Sequence, residues 1–171
     1  MRKYFQIFLA VAIVVVCHAD EILQQFKILY DFQSWNNVPA NSEIVAAFRY
    51  PQLMLPTNTL NNVDIMYCDH EELCIYSDQH EVLRTNIQVF DSSNAARNSL
   101  ILHLSNRNST IPLLRNFDLG DICYYGSISN MINYLLFVRN NVFVSISSDL
   151  VLVSVTNVAS QIDCAIIEQS H

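Results

Sequence analysis

Residues 134–147 constrain this chain more than any other stretch. Tyr134-Leu135-Leu136-Phe137-Val138-Arg139 and Val142-Phe143-Val144-Ser145-Ile146-Ser147 flank Asn140-Asn141. Two apolar runs separated by two turn-forming residues read as an antiparallel hairpin. In that register Leu135, Phe137, Val142, Val144 and Ile146 share one face, and Tyr134, Leu136, Val138, Phe143, Ser145 and Ser147 share the other. Serines occur only on the second, which makes the first the better candidate for a core.

Other elements gather around this hairpin. Val63–Tyr67 and Leu73–Tyr76 read as short strands on either side of an acidic turn, and Val82–Phe90 as a third, with Ile87 and Val89 on one side. Asp91-Ser92-Ser93 is a natural cap for the helix that follows, in which Ala96, Ser99, Leu100, His103 and Leu104 recur at helical spacing. That helix covers about residues 93–105, and Pro112 prevents any continuation. A closing helix from Val155 to Glu168 carries Val155, Val158, Ala159, Ile162, Ala165 and Ile166 on one stripe. Towards the start, Ile22, Leu23, Phe26, Leu29 and Tyr30 have helical spacing over residues 20–35. Pro39, Pro51 and Pro56 then break up any long element, leaving room for a short helix over Ser42–Tyr50. Leu150–Val153 fits strand or helix equally. The chain holds two glycines, so asparagine takes turn positions that glycine usually fills. The expected fold is α+β: a single antiparallel sheet of about 5–7 strands, with the helices near 93–105 and 155–168 packed on one face.

The first nineteen residues read as a cleaved leader. Met1-Arg2-Lys3 is cationic, Phe5 to Val16 is almost wholly apolar, and Cys17-His18-Ala19 offers a cleavage site before Asp20. The apolar run is shorter than the roughly 20 residues a spanning helix needs. Cleavage after Ala19 would release a secreted or periplasmic protein, residues 20–171, with the composition and size of a single domain. No later segment is long and apolar enough to span a bilayer; Val142–Ala159 comes nearest, interrupted by serines, Asp149, Thr156 and Asn157. Removing the leader takes Arg2 and Lys3 and no acid, leaving seven cations against sixteen acids, a charge of −9. Such a balance argues against nucleic acid or an anionic bilayer as partner. Two glycines are also too few for a phosphate-cradling loop.

Four cysteines follow the leader: Cys68, Cys74, Cys123 and Cys164. An even number in an exported chain favours two disulfides, and four cysteines allow three pairings. The preferred one is Cys68–Cys74, closing the acidic turn, with Cys123–Cys164 tying a strand to the last helix. Asn108-Ser109-Thr110 is a glycosylation sequon, meaningful in a eukaryotic host.

Candidate chemistry is sparse. Cys68, His70, Cys74 and His80 are the densest set of metal-ligand residue types, with Asp69, Glu71 and Glu72 among them. Two thiolates and two imidazoles suit zinc, although the five-residue gap between the cysteines is not a usual zinc spacing. The plainer reading is a disulfide-closed hairpin with a solvated acidic tip. His103 lies on the apolar side of its helix, where an imidazole commonly bonds a backbone carbonyl. Asp118 and Asp121 bracket Gly120 and read as a turn before the strand at Cys123 rather than as paired acid–base carboxylates. Tyr124, Tyr134, Phe137 and Phe143 would line an apolar cleft if they do not simply fill the core. No nucleophile elbow and no HExxH pair is present.

Three segments form a pattern: Gly120-Asp121-Ile122-Cys123, then Phe137-Val138-Arg139-Asn140-Asn141-Val142-Phe143-Val144, then Ala159-Ser160-Gln161-Ile162-Asp163. Ile87-Gln88-Val89-Phe90-Asp91-Ser92 with Ala95-Ala96 precedes them. Over about residues 82–168 the chain resembles small exported bacterial domains of uncharacterised function with a PsbP-like α+β sandwich. The resemblance implies a curved antiparallel sheet with helices on it and carries over no catalytic residue. It does not require the cysteines at 123 and 164, and it does not reach residues 20–62.

These readings converge on an exported, non-catalytic binding module without a cofactor. Its partner would be a protein or a small apolar ligand. One alternative is a metal-binding protein or metal-dependent hydrolase centred on Cys68–His80; another is a structural component of an envelope or matrix.

Overall fold

The hairpin at 134–147 lies inside a six-stranded antiparallel sheet, so the α+β class and the strand number agree with the sequence. The computed structural model describes residues 44–55, 60–67, 71–107, 111–112, 118–148 and 153–170. The elements are β1 (Val63–Tyr67), β2 (Glu72–Ser77), β3 (His80–Val89), α1 (Ser93–Ser105), β4 (Ile122–Ile128), β5 (Met131–Arg139), β6 (Val142–Ser147) and α2 (Val155–Gln169). Their order in the sheet is β1-β2-β3-β6-β5-β4. Two three-stranded meanders are therefore joined along one seam, β3 with β6, registered from Val89 opposite Val142 to Arg84 opposite Ser147. Leu150 and its neighbours 149–152, the helix expected over 20–35 and the leader lie outside the described residues.

Turn chemistry explains how two glycines suffice. β2 and β3 meet through Asp78-Gln79 (φ 49° and 67°), β4 and β5 through Ser129-Asn130 (φ 51° and 63°). Both pairs adopt the left-handed backbone that a two-residue hairpin turn requires. At Asn140-Asn141 only the first residue does so (φ 53°). Gly120 has φ +64°, and a Cβ there would meet the Val138 carbonyl oxygen at 2.8 Å, so this glycine is required by both backbone and space.

The two helices take opposite faces of the sheet, and this corrects the expectation that both cover one. Register puts Leu73, Ile75, Leu83, Ile87, Val144, Ile146, Leu135, Phe137 and Cys123 on a common face. Val155, Val158, Ala159, Ile162 and Ile166 of α2 join these residues in one buried cluster. On the other face, the His103 ring of α1 stacks 4.5 Å from Phe143, and the guanidinium of Arg107 lies 4.0 Å over Tyr134. Ala96, Leu100 and Leu104 of α1 are fully buried there. The hairpin is apolar on both sides, with its serines at 145 and 147 towards the end of β6; each face therefore takes one helix. Both helices begin at a serine cap, Ser92 accepting from the Ala95 amide and Ser154 from the Asn157 amide.

Residues 44–50 form no helix, against the expectation for Ser42–Tyr50. They belong to an extended strap whose backbone is held by side-chain amides. Asn141 bonds both the amide and the carbonyl of Val45 (2.7 and 2.8 Å), Gln169 both of Arg49 (2.8 and 2.9 Å), and Gln161 both of Met54 (2.7 and 3.1 Å). Each amide thus occupies the donor and acceptor that a helix would have used. The strap places Val45 and Leu53 in the core cluster.

Candidate functional site

β1 is the outermost strand of the sheet, and every one of its residues is exposed. It pairs with β2 through all five residues, from Val63 opposite Ser77 to Tyr67 opposite Leu73. No strand lies on its outer side among the described residues. Val63, Ile65, Met66 and Tyr67 are between 38 and 57% exposed. An edge strand of a folded protein is usually blunted by lysine, proline or a bulge, because its unpaired amides and carbonyls are a template for another strand. Val63-Asp64-Ile65-Met66-Tyr67 has no lysine, proline or bulge, and Asp64 is its one charge. The opposite edge differs: the Tyr125 amide of β4 is already bonded to the Pro112 carbonyl at 3.1 Å.

The two sides of β1 carry different chemistry. Val63, Ile65 and Tyr67 stand on the α2 side, opposite Ser77, Ile75 and Leu73. There the Tyr67 ring meets Tyr50 edge to face at 5.5 Å, and Tyr50 meets Phe48 in the same way at 5.5 Å. The Tyr50 hydroxyl donates to the Glu71 carbonyl at 2.8 Å, fixing this aromatic row to the base of β2. Asp64 and Met66 stand on the other side, opposite Tyr76 and Cys74. Further in, the Arg84 guanidinium forks onto Glu81 (2.9 and 2.6 Å) and reaches Glu72 at 3.1 Å. That bond to Arg84 holds the Glu81 carboxyl below its usual range and pushes the Arg84 guanidinium above its own. Arg84 is thus already engaged by two acids.

A second polar cluster is partly buried, with Asp163 its buried member. Arg139 forks onto Asp163 (2.8 and 2.6 Å) and reaches Asp121 at 3.3 Å. Asp163 also accepts from the Gly120 amide at 3.2 Å, and Asp121 from the Asn140 amide at 2.8 Å. Bonding to Asp163 raises the Arg139 pKa. Every charge here is paired, so the cluster ties β4, β5 and α2 together and presents no reactive group. In the sequence Asp163 stood only as the end of the Ala159–Asp163 segment, with no partner assigned to it. Its signal was an acid beside Ile162 at the margin of an apolar stripe, together with an arginine ending an apolar strand.

The sequence-derived candidates disperse. Tyr124, Phe137 and Phe143 are fully buried, and Phe137 faces α2 whereas Tyr124, Tyr134 and Phe143 face α1. Tyr134 and Phe137 are three residues apart in one strand, which puts them on opposite faces and precludes a shared cleft. Cys74 is buried in β2 and His80 is exposed at the start of β3, opposite Ser77. Three strand residues separate them, about 10 Å. Cys68, His70 and Asn108 lie outside the described residues. No group of three or more His, Cys, Asp and Glu comes together among the described residues. His103 Nδ1 lies 2.9 Å from the Ser99 carbonyl, the backbone contact expected of it. Asp118 is exposed, and Asp121 serves Arg139 and the turn rather than a carboxylate pair.

The Cys123–Cys164 disulfide is absent; both thiols are free. Cys123 lies in the core under α2, whereas Cys164 falls off the buried stripe of α2 and is exposed beside Pro51 and Glu168. Burial, and then the charge of Asp163, drive the Cys123 pKa well above the ordinary thiol range. No helix among the described residues is long and apolar enough to cross a membrane. No family model, no curated protein and no solved structure matches the chain.

Proposed function

We propose that this protein is an exported, non-catalytic interaction module that recognises a partner protein by accepting an extended segment as a seventh strand beside β1. The observation that carries this reading is the exposed β1 edge, four of whose five residues are apolar and beyond which no strand lies among the described residues. The small-ligand alternative is less favoured because Tyr124, Phe137 and Phe143 are packed into the core and the half-buried Tyr134 is on the opposite face from Phe137. Export rests on the leader of residues 1–19.

Selection of displayed random peptides against the protein tests the reading. Binders should lose at least tenfold in affinity against Ile65→Pro, which breaks the regular backbone of the edge strand, while the far-ultraviolet circular dichroism is unchanged. If that variant does not fold, Ile65→Lys takes its place. A selection that returns no binder, or binders indifferent to both variants, overturns the proposal.

A further inference from the structure

We infer that the segment accepted by β1 is a basic strand, with Lys or Arg alternating with apolar residues. This rests on the strand-addition reading above and adds the chemistry of the partner. Between Leu60 and Leu83 the chain carries Asp64, Asp69, Glu71, Glu72, Asp78 and Glu81 and no Lys or Arg. The nearest cation in sequence, Arg84, is engaged by Glu72 and Glu81. Asp64 projects from the edge strand itself and makes no ion pair among the described residues.

The geometry of β1 sets the pattern of the incoming strand. Successive side chains alternate across the sheet. On the α2 side the newcomer meets Val63, Ile65 and Tyr67, where aliphatic residues pair well across strands. On the other side it meets Asp64 and Met66, where a cation opposite Asp64 is favourable and an acid is repelled. Tyr67, 57% exposed and backed by Tyr50, adds an aromatic surface for the apolar residue of the newcomer at that end. The same charges argue against a second copy as occupant. Pairing β1 with β1 of another molecule brings two acidic edges together.

Fluorescence anisotropy with synthetic peptides is the test. The probe is labelled Val-Lys-Ile-Lys-Val-Arg-Val, compared with Val-Glu-Ile-Glu-Val-Glu-Val and with the basic peptide N-methylated at alternate residues. The basic probe should bind at least tenfold more tightly than the acidic one, weaken on adding salt, and weaken at least fivefold against Asp64→Lys. N-methylation should abolish binding, and amide chemical-shift changes should centre on residues 63–67. Equal binding of acidic and basic probes, with N-methylation still harmful, overturns the charge pattern and leaves strand addition standing. Equal binding of the N-methylated probe, or shifts remote from β1, overturns strand addition itself. Self-association removed by Ile65→Lys would identify a second copy as the occupant and also overturn the inference.

Discussion

Cys123 shows how position, rather than residue type, decides chemistry in this protein. Its thiol is buried beneath α2 and close enough to Asp163 for that charge to disfavour the thiolate. An unfolded thiol titrates near 8.5, so the neutral thiol in the folded chain contributes stability that is complete below that pH. As pH rises above it, the unfolded chain releases a proton that the folded chain keeps, and stability falls by about 1.4 kcal/mol per pH unit. Urea unfolding at pH 7.5 and 9.5 should therefore show a larger loss in the native sequence than in Cys123→Ala; equal losses would refute the assignment. Cys164 lies on the exposed side of α2. The cysteine spacing gave no hint of this difference. The pairing of Cys123 with Cys164 rested on compartment and parity, and it failed because a helix turns its cysteine outward one residue away from a buried neighbour. Asp163 and Arg139 were equally hidden, since a buried ion pair is a relation between residues 24 apart in sequence.

Among the elements, strands and helices follow local pattern closely, and turns follow it in an unusual dialect. β1, the core of β2 and most of β3 coincide with the alternating runs, and both helices with their apolar stripes. The strap over residues 44–55 does not, because its backbone partners are amides at 141, 161 and 169. No local propensity can anticipate a bond formed across about a hundred residues. The turn Asp78-Gln79 makes a sharper case. Gln79 is exposed and has φ 67°, a region that costs a non-glycine residue about 1–2 kcal/mol. Glycine removes that strain but loses about 0.4–1 kcal/mol through the freer unfolded chain. Gln79→Gly should thus gain roughly 0.5–1 kcal/mol. Differential scanning calorimetry would register a midpoint higher by about 2 °C, and an unchanged or lowered midpoint would contradict this account.

Across the whole molecule the covering of the sheet is uneven. β5 and β6 are sandwiched between α1 and α2, whereas β1 has no element beyond it and no helix over either side among the described residues. The apolar hairpin made the sheet legible in the sequence, but not the side each helix takes, because both of its faces are suitable for burial. Local stability should follow that covering. Hydrogen exchange should slow from β1 to β5, β6 and α2 by more than about a hundredfold; uniform protection would show that the sheet opens as one unit. The seam between β3 and β6 bears on how the chain reaches this state. Each meander is closed by short connections, but the seam joins residues from Val89–Val142 outward to Arg84–Ser147, with α1, β4 and β5 between them. Loop-closure entropy is concentrated there, so the seam governs the folding barrier, and hairpins that form in microseconds wait for it. The edge strand lies on the far side of β2 from that barrier. Substitutions that retune what β1 recognises can therefore accumulate while the speed at which the chain folds stays the same.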